Sequence, residues 1–128
     1  MDTILVTGGL GHIGSKLIRT LSKKYKIIVV DNLLTQRYCS LFNLPNPITF
    51  IDKCISELNQ DDLMDVDVVI HLAAITNAAG SFKNKEQTEN INLDLTYSFI
   101  KECDKAGCSF IFPSSTSVYG TAAKIVDE

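Results

Sequence analysis

Short apolar runs alternate with stretches of helical periodicity along most of the chain. The predicted strands are Thr3 to Thr7, Lys26 to Asp31, Ile48 to Ile51, Asp65 to Leu72 and Ser109 to Phe112. A near-continuous apolar run such as Ile27 to Val30 is typical of a strand that is buried on both faces. Strands that alternate with helices are joined by right-handed crossovers, which produce a parallel sheet. The pattern therefore predicts an α/β fold with a doubly wound sheet of about five strands in the order 3-2-1-4-5.

The apolar positions between the strands recur with helical spacing. The predicted helices are His12 to Lys24, a short one from Ser56 to Leu63, and Asn84 to Ala106. The apolar face of the first consists of Ile13, Leu17, Ile18 and Leu21, and that of the last consists of Ile91, Leu95, Phe99 and Cys103. Gly107 is suited to end the last helix because glycine accepts the left-handed conformation found there. The segment Asn32 to Pro47 is predicted to be a loop with at most one helical turn.

A glycine-rich loop joins the first predicted strand to the first predicted helix. Its sequence is Thr7-Gly8-Gly9-Leu10-Gly11-His12-Ile13-Gly14. Gly8 can take turn angles that a side chain forbids, Gly11 lets a pyrophosphate approach the backbone, and Gly14 lets the helix pack close to the strand. The helix N-terminus offers N–H groups and a partial positive charge to phosphates. The loop therefore predicts a dinucleotide-binding site.

Asp31 supports the same interpretation, because it ends the second predicted strand about 20 residues beyond the loop. A carboxylate at that position accepts hydrogen bonds from the adenosine ribose hydroxyls and repels a 2′-phosphate, which favours NAD over NADP. The alternative is that Asp31 and Asn32 only form a turn. Together, the loop and the carboxylate predict one Rossmann-type NAD(P)-binding domain over residues 1–128.

Composition and charge narrow the class of protein. A chain of 128 residues can form one domain with a core, and its 45% hydrophobic and 21% charged residues are ordinary for a globular protein. The net charge of −3 gives no electrostatic argument for nucleic acid or an anionic membrane. There is no apolar run of membrane-spanning length and no signal-peptide pattern. The four cysteines lack metal-ligand or redox spacing, so we expect free thiols, no metal site and a cytoplasmic protein.

Four motifs occur in order and together cover nearly the whole chain. They are the glycine loop, Asp31-Asn32-Leu33-Leu34-Thr35, His71-Leu72-Ala73-Ala74, and Ser114-Ser115-Thr116-Ser117-Val118-Tyr119-Gly120. At this spacing they resemble the motifs of the extended short-chain dehydrogenase/reductases, which are NAD-dependent epimerases and dehydratases, mostly of nucleotide sugars. The likeness is greatest to UDP-glucose 4-epimerase-like members. The resemblance implies NAD as the cofactor and a UDP-linked sugar as the substrate of the complete enzyme. A homodimer is compatible with it, but the oligomeric state stays open.

The resemblance also implies roles for residues at matching positions. Gly8, Gly11, His12, Ile13 and Gly14 would line the pyrophosphate, His12 and Ile13 through their backbone N–H groups. Asp31, Asn32, Leu33, Thr35 and Gln36 would surround the adenosine ribose. Cys54 and Ile55 would lie beside the adenine, and Leu72, Ala73, Ala74 and Thr76 under the nicotinamide half. Asn92 would tie the long helix to the site, and Ser115 would hydrogen-bond the reacting sugar hydroxyl.

Some of these residues have simpler interpretations. His12 could be an exposed side chain beside the loop, His71 could support a strand end, and Ser114 to Ser117 could be only a polar loop. Cys54 stands where the family commonly has aspartate, and a thiol is a poor acceptor for the adenine amine. It could instead pack inward as a small apolar residue. Leu95 stands where the family has glycine, which would crowd the helix against the nicotinamide side.

The general base of the family is a tyrosine in a Tyr-x-x-x-Lys motif, some 25 residues beyond Val-Tyr-Gly. We expect this base and the sugar-binding part to lie beyond Glu128, and this chain to be inactive alone because the reaction needs the base to accept a hydroxyl proton.

Three hypotheses remain: the NAD-binding part of an epimerase or dehydratase, a non-catalytic module that binds NAD or a partner chain, and a relic that binds no nucleotide. Whether the chain is a fragment or a natural short product also stays open.

Overall fold

A computed structural model describes residues 2–32, 43–73 and 81–113, and only the backbone of residues 81–92. The strands are β1 (Thr3–Thr7), β2 (Lys26–Asp31), β3 (Thr49–Asp52), β4 (Val68–His71) and β5 (Ser109–Ile111). The helices are α1 (His12–Leu21), α2 (Gln60–Leu63) and α3 (Ser81–Ala106), and a 3-10 turn occupies Ile55–Glu57. The predicted alternation of strands and helices is therefore confirmed.

The five strands form one parallel sheet in the order β3-β2-β1-β4-β5, as the sequence predicts. The registers align Thr7 with Val30 of β2 and with His71 of β4. Asp31 is aligned with Asp52 of β3. Because all strands run in the same direction, the segments that follow their C-terminal ends meet along one edge of the sheet.

Two apolar clusters cover the two faces of the sheet. The cluster beneath α2 and α3 contains Leu5, Val30, Ile55, Leu58, Leu63, Val66, Val69, Phe99 and Cys103. The cluster beneath α1 contains Ile4, Val6, Leu10, Ile18, Ile27 and Val29. Alternate residues of β1 enter opposite clusters, which is the two-sided burial that its continuous apolar run predicts. No helix in the described part of the chain is long and apolar enough to cross a membrane.

Several element boundaries differ from the predicted ones. α1 ends at Leu21 rather than Lys24, and the N–H of Ser22 closes its last turn on the carbonyl of Ile18. The predicted helix from Ser56 to Leu63 is interrupted because Leu58 and Asn59 are extended. Asn59 then caps α2, with its side chain accepting a hydrogen bond from the N–H of Asp62. β1 and β2 have the predicted bounds, and the remaining predicted elements are found with ends shifted by at most three residues.

The predicted apolar face of α1 is wrong at Ile13, whose side chain is 70% exposed. The buried residues of this helix are Gly14, which abuts Gly8 and Gly9 of the loop, and Ile18, which lies in the cluster beneath α1. Ile13 is rotated by about 100° from Gly14 around the helix axis, and its side chain is exposed. In α3, the predicted stripe holds for Phe99 and Cys103, which are 2% and 1% exposed, and Leu95 packs partly against the same cluster.

Candidate functional site at the C-terminal edge of the sheet

The C-terminal edge of the sheet brings most of the predicted site residues together. The glycine loop follows β1, Asp31 ends β2, Cys54 follows β3, and Leu72 and Ala73 follow β4. These segments are distant in sequence, and the parallel sheet places them side by side. This edge, at the crevice where the strand order reverses, is where open α/β sheets bind their ligands.

The first turn of the glycine loop depends on a close contact between two backbone segments. Gly8 has φ of +67°, and its N–H donates to the carbonyl of Val30 at 2.8 Å. A Cβ on Gly8 would lie 2.9 Å from the nitrogen of Ala73. Both the backbone angle and the lack of space therefore require glycine. The contact joins the loop after β1 directly to the segment after β4.

Two further glycines are required by contacts within and below the loop. A Cβ on Gly14 would lie 2.6 Å from the carbonyl oxygen of Gly8 and 2.7 Å from Cα of Gly9. Gly14 thus allows α1 to approach the loop, whereas the sequence analysis expected it to allow a close approach to the strand. A Cβ on Gly9 would lie 2.6 Å from Cγ1 of Val29. The spacing of the motif leaves Gly9 as an unspecified position, so sequence reasoning missed this requirement.

The N-terminus of α1 has the properties of an anion site. Its N-cap is Gly11, which supplies no capping side chain, and its first turn contains no acidic residue. The N–H of Gly11 donates to the carbonyl of Gly8 at 3.1 Å, and a Cβ on Gly11 would meet only that oxygen, at 3.3 Å. His12 and Ile13, which follow the cap, are exposed. The positive end of the helix is therefore open to a negatively charged group.

Asp31 lies beside the glycine loop. Its Oδ2 accepts a hydrogen bond from the N–H of Leu10 at 3.4 Å, across 21 residues of sequence. The carboxyl group is half-buried, and the following residue, Asn32, is exposed. The carboxylate of Asp31, which would contact a ribose, therefore also binds the glycine loop, which would hold the phosphates.

Cys54 and Ile55 lie just beyond β3. Ile55 is buried in the core, while Cys54 is half-buried and packs partly against the same cluster. The N–H of Cys54 donates to Oε1 of Glu57 at 3.2 Å, and the N–H of Glu57 donates to the carbonyl of Cys54 at 2.9 Å. This packing is the inward orientation that the sequence analysis left as an alternative for Cys54.

A buried polar chain links β1, β4 and α3 beneath the site. The hydroxyl of Thr7 lies 2.7 Å from Nδ1 of His71, and Nε2 of His71 lies 3.4 Å from the hydroxyl of Thr96. Thr7 Oγ1 also accepts hydrogen bonds from the N–H groups of Leu72 at 3.1 Å and Ala73 at 3.2 Å. His71 therefore has the supporting position that the sequence suggested, but its link to Thr96 was not predicted.

The surroundings of His71 disfavour a positive charge. The residue is 1% exposed, and its ring lies 5.4 to 5.9 Å from the ring centroids of Phe99, Phe110 and Phe112. Burial lowers the pKa of the imidazole below its ordinary value. His71 is therefore neutral at physiological pH.

Several predicted site residues lie outside the described residues. These are Leu33, Thr35, Gln36, Ala74, Thr76 and Ser115. The backbone of Asn92 lies within α3, and its side chain is not described. Their roles remain predictions. Within the described part of the chain, no group of three or more histidine, cysteine, aspartate or glutamate side chains could hold a metal ion.

Comparison with known proteins places this site in a family. The model of the "NAD dependent epimerase/dehydratase family" matches residues 4–128. The chain belongs to this family. Because the match runs from within β1 through the glycine loop and the other four strands, the resemblance deduced from the four motifs is confirmed.

The relatives that this chain resembles include epimerases and dehydratases of nucleotide sugars. A dTDP-D-glucose 4,6-dehydratase of Dictyostelium discoideum is 34% identical over 94% of this chain and 30% of its own length. A putative UDP-glucose 4-epimerase of Methanocaldococcus jannaschii is 33% identical over 91% of this chain and 39% of its own length. The structure of UDP-glucuronic acid 4-epimerase from Bacillus cereus, in complex with UDP-glucuronic acid and NAD, superposes with a TM-score of 0.86. It is 31% identical and covers 98% of this chain and 44% of its own. The chain thus spans less than half the length of these relatives.

One Tyr-x-x-x-Lys spacing does occur in the chain, at Tyr97 and Lys101. Both residues lie on α3, and the side chain of Tyr97 is 60% exposed. The α3 face that packs on the sheet carries Phe99 and Cys103 instead. The pair also precedes Val-Tyr-Gly rather than following it, so it does not occupy the position of the family's base.

Proposed function

We propose that residues 1–128 form the NAD-binding domain of a nucleotide-sugar epimerase or dehydratase. The observation that carries the proposal is the contact between Gly8 and Ala73 beside the open N-terminus of α1. Both features lie at the C-terminal edge of the sheet, where open α/β sheets bind their ligands. The family and the NAD-containing structure of the Bacillus cereus relative support NAD as the ligand.

The residues of this edge would divide the cofactor between them. The N-terminus of α1 would hold the pyrophosphate, and Asp31 would accept hydrogen bonds from the adenosine ribose. Leu72 and Ala73 would lie beneath the nicotinamide half, and the backbone at Ile55 beside the adenine. Bound NAD supplies transient hydride transfer at a sugar carbon in reactions of this class. The protein would fix the nicotinamide against the sugar, and Asp31 would exclude a cofactor that carries a 2′-phosphate.

We propose a UDP-linked sugar as the substrate of the complete enzyme, because UDP-sugars are named for several relatives. Ser115 would hydrogen-bond the reacting hydroxyl, and a tyrosine and a lysine beyond residue 128 would supply the base. On this proposal, the 128-residue chain shows no turnover with NAD and UDP-sugars. Turnover that disappears in Ser115→Ala would contradict it.

We also propose that a second copy of the chain covers the outer face of α3. Leu93, Tyr97 and Ile100 are 54%, 60% and 39% exposed and lie on neighbouring turns of this helix. Exposed apolar side chains grouped on one face are typical of an interaction surface. Sedimentation of the chain and of Tyr97→Glu tests this: a monomer in both cases would contradict it.

The alternative is a non-catalytic module that binds NAD or a partner chain. Calorimetric titration with NAD tests the binding that both interpretations share. Gly11→Glu places a carboxylate where the pyrophosphate would lie, and the φ of −70° at Gly11 accepts a side chain. Thr20→Glu adds the same charge to an exposed position near the other end of α1 and serves as the control.

The expected result is NAD binding by the unmutated chain and by Thr20→Glu, with a loss of at least tenfold in Gly11→Glu. Absence of NAD binding by the unmutated chain would contradict the proposal and favour a relic that binds no nucleotide. Equal binding by Gly11→Glu would show that the pyrophosphate does not lie at the N-terminus of α1.

A further inference from the structure

The hydrogen bonds around Thr7 determine where the proton of His71 lies. Thr7 Oγ1 accepts from the N–H groups of Leu72 and Ala73, the former shared with the carbonyl oxygen of Thr7. With both lone pairs engaged, the hydroxyl can offer only its proton to Nδ1 of His71, 2.7 Å away. Nδ1 must then be the unprotonated acceptor, and Nε2 carries the hydrogen. The Nε2–H group is directed at the hydroxyl of Thr96, 3.4 Å away.

We propose that His71 is a positioning residue of the NAD site: as the neutral Nε2–H tautomer it holds the Thr7 hydroxyl in the orientation that fixes Leu72 and Ala73 against Gly8. The proposal rests on the proposed function for its statement about NAD.

The same geometry makes the site sensitive to protonation. An Nδ1–H group would face a hydroxyl oxygen that already accepts two hydrogen bonds. The Thr7 hydroxyl could accept from it only by releasing a backbone N–H, and its own proton would lose its acceptor. The released segment is Leu72–Ala73, and a Cβ on Gly8 would lie only 2.9 Å from the nitrogen of Ala73. Protonation at His71 would therefore be transmitted to the turn of the glycine loop.

The elements packed around His71 contribute neutral groups. β1 contributes the hydroxyl of Thr7, α3 contributes the hydroxyl of Thr96 and the ring of Phe99, and the β5 segment contributes Phe110 and Phe112. Among these described neighbours, no charged side chain contributes to the pKa of His71, which is lowered by burial alone. No carboxylate there would compensate an imidazolium ion.

Nuclear magnetic resonance tests the structural part without a ligand. The chain contains only two histidines, so His12→Gln assigns the imidazole signals. At pH 8 we expect a pyridine-like Nδ1 and a pyrrole-like Nε2 in His71. As the pH is lowered, the amide signals of Gly8 and Ala73 should move with the same midpoint as the imidazole of His71. A protonated Nδ1 at pH 8, or Gly8 and Ala73 signals that do not follow His71, would overturn the proposal.

Two substitutions of His71 test the link to NAD. In His71→Asn, Oδ1 is as many bonds from the backbone as Nδ1 and can accept from Thr7, but it does not titrate. In His71→Phe the ring is kept and the acceptor is lost. At pH 8 we expect His71→Phe to weaken NAD binding roughly tenfold, because the buried hydroxyl of Thr7 loses its acceptor. We expect His71→Asn to retain most of the affinity of the unmutated chain. At pH values below the titration midpoint of His71, NAD binding by the unmutated chain should weaken by a similar factor, whereas NAD binding by His71→Asn should not.

The outcomes separate the two proposals. If the unmutated chain does not bind NAD at pH 8, the proposed function fails, and the resonance experiment decides alone whether His71 sets the position of Gly8. If NAD binds but the unmutated chain and His71→Asn share one pH profile, the positioning role is overturned. Should His71→Phe not fold, as thermal unfolding would reveal, the comparison of the unmutated chain with His71→Asn still decides.

Discussion

Gly9 lies directly over the side chain of Val29. A Cβ at position 9 would be 2.6 Å from Cγ1 and 3.3 Å from Cγ2 of Val29, which is 0% exposed in the middle of β2. Valine is β-branched, so its χ1 rotation is restricted and it has little freedom to move aside. The glycine loop is therefore positioned by packing on β2 as well as by its own backbone angles.

We predict that Gly9→Ala destabilises the chain by about 1–3 kcal/mol, because it overpacks this contact. The double variant Gly9→Ala/Val29→Ala removes both methyl groups that the new Cβ would meet. It should be less unstable than the sum of the two single changes, with a coupling of about 0.5–3 kcal/mol. Chemical denaturation of the four chains measures the coupling. Strict additivity would show that the loop moves away from Val29 at no cost.

For Asp31, we predict a change in cofactor preference. The unmutated chain should prefer NAD to NADP, because a carboxylate at this position repels a 2′-phosphate. Asp31→Ala should weaken NAD by about 1.5–3 kcal/mol, the loss expected for hydrogen bonds to a charged group. Titration with both cofactors gives the two affinities, and equal affinities in the unmutated chain would contradict the prediction.

Asp31→Asn is the matched control, because Asp31 also accepts a hydrogen bond from the N–H of Leu10. Asparagine keeps an acceptor for Leu10, while it removes the charge and replaces one acceptor oxygen with an NH2 donor. If the charge acts on the ribose, Asp31→Asn should lose the preference for NAD while the loop keeps its stability. If Asp31→Ala is less stable than the unmutated chain and Asp31→Asn is not, the hydrogen bond from Leu10 to Asp31 stabilises the loop.

The pH dependence of stability should contain a contribution from His71. Folding lowers the pKa of this residue, and its ordinary unfolded value is about 6.5. Below that value the unfolded chain binds the proton first, so the free energy of unfolding falls as the pH falls, until the folded pKa is reached. Above about pH 6.5 the residue is neutral in both states and contributes no slope. We expect the unmutated chain to lose more stability than His71→Asn between pH 7 and pH 5 in denaturant unfolding. Parallel curves for the two chains would contradict this sign.

The fold was predictable because its central strands β1 and β2 are largely buried on both faces. The bounds of β1 and β2 agree with the predicted ones, since a continuous apolar run has few alternative interpretations. The start of β4 was less predictable. Asp67 was expected within the strand, but its Oδ2 accepts a hydrogen bond from the N–H of Thr3 at 2.8 Å. A side chain that bonds to a backbone 64 residues away leaves no local signal.

The candidate site was predictable where a backbone requirement forces a residue type, as at Gly8. It was not predictable where a contact depends on how a helix is rotated on the sheet. Thr96 contacts His71 only because α3 turns Phe99 inward, and the exposure of Ile13 follows from the orientation of Gly14 and Ile18. Helical spacing in the sequence gives several candidate faces, and tertiary packing selects one of them.

Cys54 offers a test of where the side chain at this position points. The structure packs it partly against the core, and its N–H is already bound by the carboxylate of Glu57. An aspartate here would place a second negative charge beside Glu57. We therefore predict that Cys54→Asp lowers the melting temperature without tightening NAD binding, while the neutral and similarly sized Cys54→Ser changes both less. Adding Glu57→Gln to Cys54→Asp removes the repulsion and should recover part of the lost stability.

Differential scanning calorimetry and NAD titration of the same proteins measure the two effects. If Cys54→Asp instead binds NAD up to roughly tenfold more tightly at an unchanged melting temperature, the side chain at position 54 faces the adenine.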